Sequence, residues 1–183
     1  MSPRPALPLR LEYVLLGLIR RQPVHGYELL RIWKDHHEIG LVWQVKPGPL
    51  YASLEKLEQL GYLEANRVST DASPTRKEYR VTPSGSQVFM EWMQTPVAAA
   101  RDFRQDFLAK LYFSADVEKI ISAELLSRQI QLCQTWLASL QGQLTLSTDF
   151  EKQVLSFRLR QVQGILDWLR ALSTDYNFIE FRR

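Results

Sequence analysis

The chain has 183 residues, 45% of them hydrophobic, and a formal net charge of only +3, so it suits one or two compact domains with a sizeable core and is no polybasic or polyacidic binder. Its single cysteine, Cys133, cannot close an internal disulfide, which points to a reducing cytoplasm. No apolar run approaches the ~18 residues of a membrane span, so a membrane-embedded protein is excluded and no membrane partner is expected.

In chain order, Met1 to Pro8 contains three prolines and reads as a flexible arm. Leu11, Val14, Leu15, Leu18 and Ile19 then recur at helical spacing, and Pro23 stops that helix. A second helix starts at His25-Gly26-Tyr27 and runs to about His37, with Leu29, Leu30, Ile32 and Trp33 supplying its apolar faces. The segment Glu38 to Lys46 is long for a tight turn, and Trp43 and Val45 can pair as a short strand.

The stretch Pro47 to Leu63 organises the rest. Pro49 suits a first helical turn, Gly61 suits the left-handed residue past a helix end, and Leu50, Leu54 and Leu57 share one buried face. The opposite face starts small, with Gly48, Pro49 and Ala52 and with Tyr51 on its flank, as a helix entering a DNA major groove by its first turns requires. Tyr62–Val68 and Arg76–Thr82 read as two strands around the turn-rich connector 69–75, with Arg67, Arg76, Lys77 and Arg80 on or near the hairpin. Thr82-Pro83 caps a further helix that carries Val88, Phe89 and Trp92 and ends at Thr95-Pro96, and Val97 to Ala100 reads as a linker.

A helix followed at once by a basic-edged hairpin is the layout of a winged helix-turn-helix. The chain resembles the PadR family of transcriptional regulators in His25-Gly26-Tyr27-Glu28-Leu29, in Pro47-Gly48-Pro49-Leu50-Tyr51 with Leu54 and Leu57-Glu58, and in Arg76-Lys77-Glu78-Tyr79-Arg80-Val81-Thr82-Pro83-Ser84-Gly85. Arg104-Gln105-Asp106-Phe107-Leu108-Ala109-Lys110-Leu111 resembles the start of the helical C-terminal domain of its longer subgroup, so the resemblance spans roughly residues 9 to 172. The chain departs from the family pattern at Pro49, where Thr or Ser is usual, at Glu55, a commonly basic position, and at Ser73-Pro74-Thr75, where Gly-Arg is frequent.

Beyond the linker, Phe103, Phe107, Leu108, Leu111 and Tyr112 form a short apolar helix, and Ser114 or Asp116 can cap the next. Leu126, Ile130, Cys133, Leu137, Leu140 and Leu144 then step by 4, 3, 4, 3 and 4, a heptad seam. Leu155, Leu159, Val162, Leu166 and Leu169 repeat it, while Phe150, Val154, Phe157, Ile165 and Trp168 add a second apolar row. Two long helices joined near residues 146–149 would form an antiparallel hairpin, which cannot cover both rows. The excess points to a second copy of the chain, the alternative being that both rows fold back on the winged domain.

The expected fold is therefore mainly α with a small β-hairpin. It comprises an arm at 1–8, a winged helix-turn-helix DNA-binding domain at 9–95 and an antiparallel helical hairpin domain for dimerisation at 101–183. Gly48, Pro49, Tyr51 and Ala52 should lie in the groove, Lys56, Arg76 and Lys77 should neutralise phosphates, and Tyr27 and Lys46 complete the DNA-binding set. The dimer seam is assigned to Leu126, Ile130, Cys133, Leu137 and Leu140 on one helix and to Leu155, Leu159, Val162, Leu166 and Leu169 on the other. No metal spacing, phosphate loop or nucleophile motif is present, so neither a cofactor nor enzyme activity is expected. The function read here is a homodimeric regulator, a repressor, on a pseudo-palindromic operator in double-stranded DNA; the alternative is a winged-helix module for protein partners. The resemblance further implies an aromatic or hydrophobic small-molecule effector, for which Trp92, Phe103, Phe107, Trp136 and Trp168 form a candidate pocket.

Overall fold

The computed structural model describes residues 10–35, 37–70, 73–117, 123–144 and 147–174, so the arm expected at 1–8 lies outside the described residues. The chain divides into two compact units, Met1–Met93 and Gln94–Arg183. In the first, helix α1 (Leu11–Ile19) is enclosed on nearly every side, with Val14, Leu15 and Leu16 fully buried. A nine-residue run this apolar has no polar face to show solvent, so it becomes the centre of the core. Strand β1 (Val24–His25), α2 (Gly26–Asp35), α3 (His37–Val42) and α4 (Pro47–Gln59) follow. Leu29, Ile39, Leu50, Leu54 and Leu57 are fully buried in the same unit, and α4 packs directly on α1.

Helix α4 has the two marked ends that its sequence predicts. Pro47 occupies the first helical position after Lys46, whose backbone is extended. At the other end Gly61 has φ 71°; its N–H donates to the Glu58 carbonyl at 3.0 Å and the Tyr62 N–H to the Leu57 carbonyl at 2.9 Å, the paired bonds of a Schellman stop. Strands β2 (Leu63–Thr70) and β3 (Ser73–Val81) form the wing, and α5 (Pro83–Gln94) closes the unit. The Thr82 hydroxyl donates to the Gly61 carbonyl at 2.8 Å and accepts the Gly85 N–H at 3.0 Å, so one side chain caps α5 and ties it to the end of α4.

Three expectations for this unit need correction. The sheet has three antiparallel strands in the order β1-β3-β2, and its third strand comes from residues 24–25, not from Trp43 and Val45. The 38–46 segment instead holds α3, and the Trp33 indole N–H donates to the Trp43 carbonyl at 2.6 Å, which holds the exit of that helix. The wing strands also run further than expected, through most of the 69–75 connector, with a register irregularity between Val68 and Thr70 just across from Pro74. Cross-strand pairing there overrides the turn-rich local sequence, and the irregularity accommodates a residue that cannot donate to the ladder.

In the second unit a 3-10 turn (Ala100–Asp102) leads into α6 (Phe103–Val117), followed by α7 (Ala123–Leu144) and α8 (Asp149–Thr174). α6 does not stop near Ser114, whose hydroxyl donates back to the Leu111 carbonyl at 2.7 Å inside the helix and so caps nothing. α7 and α8 are the expected antiparallel hairpin, and Thr148 with Glu151 caps the second arm: the Thr148 N–H and hydroxyl donate to the Glu151 carboxylate at 2.8 and 3.0 Å. Val97, Phe103, Phe107, Leu125, Leu126, Cys133, Val162, Leu166 and Leu169 make its core.

Val97 to Ala100, read from sequence as a linker, begins inside that core. The Val97 N–H donates to the Gln129 side-chain carbonyl at 2.6 Å, and the Gln129 amide donates back to the Val97 carbonyl at 3.2 Å. Lys110, also buried, donates to the Thr95 carbonyl. Residues 95–97 are thereby strapped down by two polar side chains.

Candidate nucleic-acid interface

The first turn of α4 is built for close approach. Pro47 and Pro49 have no N–H, so Gly48 carries the sole backbone donor of the first three positions, while the Leu50 N–H is used by the Lys46 carbonyl at 3.3 Å. Lys46, Gly48, Pro49 and Ala52 are exposed, and a Cβ placed on Gly48 would meet nothing within 4 Å. Packing therefore does not require a glycine there; the space is open to a partner. Tyr51 is 44% exposed and lies against the start of α2, where a Cβ on Gly26 would come within 2.6 Å of its ring. Gly26, which carried only the family resemblance, is the residue that lets this tyrosine lie down.

Tyr27 follows at 46% exposure, its ring stacked on His25 with centroids 5.8 Å apart and its hydroxyl donating to Glu28 at 3.3 Å. The Glu28 carboxylate also accepts the His25 backbone N–H at 3.0 Å, as the acid three residues into a capped helix does. That backbone hydrogen bond is the main reason the Glu28 carboxyl is held below its usual range. The His25 imidazole reaches the wing, its Nδ1 lying 3.0 Å from the Lys77 carbonyl.

The predicted phosphate-neutralising cations fare differently. Lys56 does not stand free: its ammonium donates to Glu12 of α1 at 3.0 Å, and Glu12 also accepts the Ser53 hydroxyl at 3.3 Å and the Arg10 N–H at 3.1 Å. Burial pushes the Glu12 carboxyl up, but the Lys56 and backbone hydrogen bonds outweigh it and leave it below the ordinary value. Lys56 is a packing charge between α4 and the core helix. Lys77 is exposed, yet its ammonium pairs with Glu58 of α4 at 2.8 Å. Arg76 stands opposite Val68 in the wing ladder, with its side chain outside the described residues. Sequence reading missed Glu12, Glu58 and His25; only His25, three residues before a glutamate at a helix start, left a signal.

In the second unit the predicted seam turns inward. Leu126, Cys133, Leu155, Val162, Leu166 and Leu169 are buried within one chain and so hold the hairpin together, while Ile130, Leu137 and Leu140 pack against them and stay partly exposed. Leu159, on the same row, is half-buried. The apolar surface left over belongs to the other row of α8, where Phe150 and Phe157, two turns apart, are 73% and 69% exposed. Of the predicted aromatic pocket, Phe103, Phe107 and Trp168 come together: the two phenyl rings stack at 4.4 Å, and the Trp168 edge meets each at 6.0 Å. Trp136 packs on the same core. Trp92 is committed to the first unit, stacked on Tyr13 at 5.0 Å and tilted against Phe89. Among the described residues no group of His, Cys, Asp and Glu could hold a metal ion, and no helix is long and apolar enough to cross a membrane.

The profile of the "Transcriptional regulator PadR-like family" matches residues 15–91, from within the core helix to within α5. The chain is similar to the negative transcriptional regulator PadR of Bacillus subtilis, at 26% identity over 176 residues that cover 93% of this chain and 92% of that protein. Among solved structures it is similar to Bacillus subtilis PadR in complex with operator DNA, at 24% identity and a TM-score of 0.46, covering 91% of this chain and 98% of that one. It is likewise similar to the same protein in complex with p-coumaric acid, at 26% identity, a TM-score of 0.43 and the same coverage. The profile spans the core helix, the helix-turn-helix and the wing, and the relative aligns across both units, so the chain is similar to PadR-like transcriptional regulators over the first unit by profile and over nearly its whole length by pairwise identity.

Proposed function

We propose that this chain is a PadR-like transcriptional regulator, a cytoplasmic homodimer that represses by binding a pseudo-palindromic operator in double-stranded DNA and is released by an aromatic or hydrophobic small molecule. The observation that carries the DNA reading is the open first turn of α4, where Gly48, Pro49 and Ala52 stand exposed beside the half-exposed Tyr51. Small residues at a helix start let the backbone approach base edges, and Tyr51 and Tyr27 supply flanking hydroxyls. Repression is supported by the relative, which is a negative regulator by name. The dimer is supported by Phe150 and Phe157, whose exposure on one helix face is what a two-fold copy would cover. The effector reading rests on the cluster of Phe103, Phe107 and Trp168, an apolar lining with one partly exposed ring. An effector acts by preferring one of two states that differ in the spacing of the recognition helices.

The test is selection of binding sites from a random duplex library by the purified protein. It should enrich a two-fold symmetric sequence whose affinity falls steeply with salt, and Ala52→Glu should abolish binding to it. One observation favours a second reading: Lys56 and Lys77 are already paired with carboxylates, and Glu55 is exposed on α4, as suits a winged module for protein partners. Failure to enrich any sequence, with a flat salt response, would favour that module.

A further inference from the structure

We infer that His25 is a positioning residue for DNA reading, which locks the wing to the helix-turn-helix so that both engage one duplex as a rigid body. The inference rests on the DNA reading above. A hairpin wing attached only at its root can pivot about that root, and here β1 pairs with β3 at just two positions, Val24 with Tyr79 and His25 with Glu78. The His25 ring adds a third tie one residue further out, to the Lys77 carbonyl at 3.0 Å. A carbonyl only accepts, so Nδ1 carries the proton in this contact. The other end of His25 is fixed too, because its N–H is held by Glu28 at 3.0 Å and its ring stacks on Tyr27. Lys77 is gripped a second time, by Glu58 at 2.8 Å. One wing residue is thus bound through its carbonyl to the start of α2 and through its ammonium to α4. The orientation of Tyr27 and the reach of the wing are set together.

His25 is half-buried and its ring fills no core position, so its removal should alter wing placement more than folding. The experiment uses the full chain and the duplex that the wild type selects, against a scrambled duplex of equal length. His25→Ala should lower affinity for the selected duplex about fivefold, the scale of one hydrogen bond, and leave the scramble unchanged. Hydroxyl-radical protection of the deoxyribose backbone flanking the half-sites should be lost with it. His25→Asn, whose side-chain N–H falls near the Nδ1 position, should restore that protection and most of the affinity. Should His25→Ala fail to fold, His25→Leu, which keeps bulk but has no donor, carries the same expectation. An Ala or Leu variant with unchanged selected-duplex affinity and flanking protection overturns the inference, as does an Asn variant that behaves like Ala. If the wild type selects no duplex, the DNA reading itself fails and the inference falls with it.

Discussion

Three glycines lack side chains for three different reasons, and their substitutions should separate folding from function. At Gly85 a Cβ would stand 2.2 Å from the Tyr62 carbonyl oxygen, a backbone atom at the entrance to the wing. Gly85→Ala must push the end of α4 and the wing away from α5, and should destabilise the protein by at least ~1–3 kcal/mol in chemical denaturation. Gly26 meets a side-chain ring that can swing, so substitution there moves Tyr51 before it moves the fold. Gly48 meets nothing, so Gly48→Ala is expected to stabilise α4 by up to ~1 kcal/mol, by restricting the unfolded chain, while weakening binding to a selected duplex through the extra methyl. A variant that melts higher and binds as well as the wild type would remove Gly48 from the DNA face.

The two rows of α8 show where element-scale reading succeeds and where it stops. The heptad steps of α7 and α8 are legible in sequence and give the hairpin, but on α8 both rows repeat at nearly the same interval, so periodicity alone does not say which one faces α7. Packing decides it: the leucine row goes inward, and in the other row Ile165 and Trp168 also pack on the core while Phe150 and Phe157 stay outside. Leu137 consequently tests hairpin folding, whereas Phe157 tests association. Phe157→Asp should leave helicity and the unfolding transition of the single chain intact and shift light scattering from dimer to monomer; an unchanged dimer would exclude this face. Similar limits explain the other departures. Strand β1 is two residues long and α3 six, too short for a period to register. The recognition helix and wing were legible because prolines, Gly61 and the turn chemistry punctuate them. The partners of Lys56 and Lys77 were not, because Glu12 lies 44 residues away and Glu58 on another element, and a lone charge carries no mark of its partner.

At the scale of the whole molecule, Lys110 leaves a signature in the pH dependence of stability. Burial holds its ammonium down to about 8 from 10.5, with Asp106 opposing. Between those values the unfolded chain binds more protons than the folded one, so this group makes stability rise with pH across that window. Below it, the charged form costs folding roughly 3 kcal/mol. Lys110→Met should remove most of the rise, read as the difference between wild-type and variant unfolding free energies from pH 7 to 10; parallel curves would show that Lys110 titrates normally. The same side chain, with Gln129, also determines where the polypeptide tolerates a cut. The compact units part between Met93 and Gln94, yet the Thr95 and Val97 carbonyls and the Val97 N–H are consumed by the second unit. A fragment starting at Gln94 keeps these partners. One starting at Ala98, which looks equivalent by helix boundaries, strips Gln129 of both backbone contacts inside an apolar interior and should melt well below the longer fragment, since each buried group left unmatched costs about 1–3 kcal/mol. A protease that nicks this joint before residue 95 would release an intact C-terminal body, and one that cuts after Val97 would begin its unfolding.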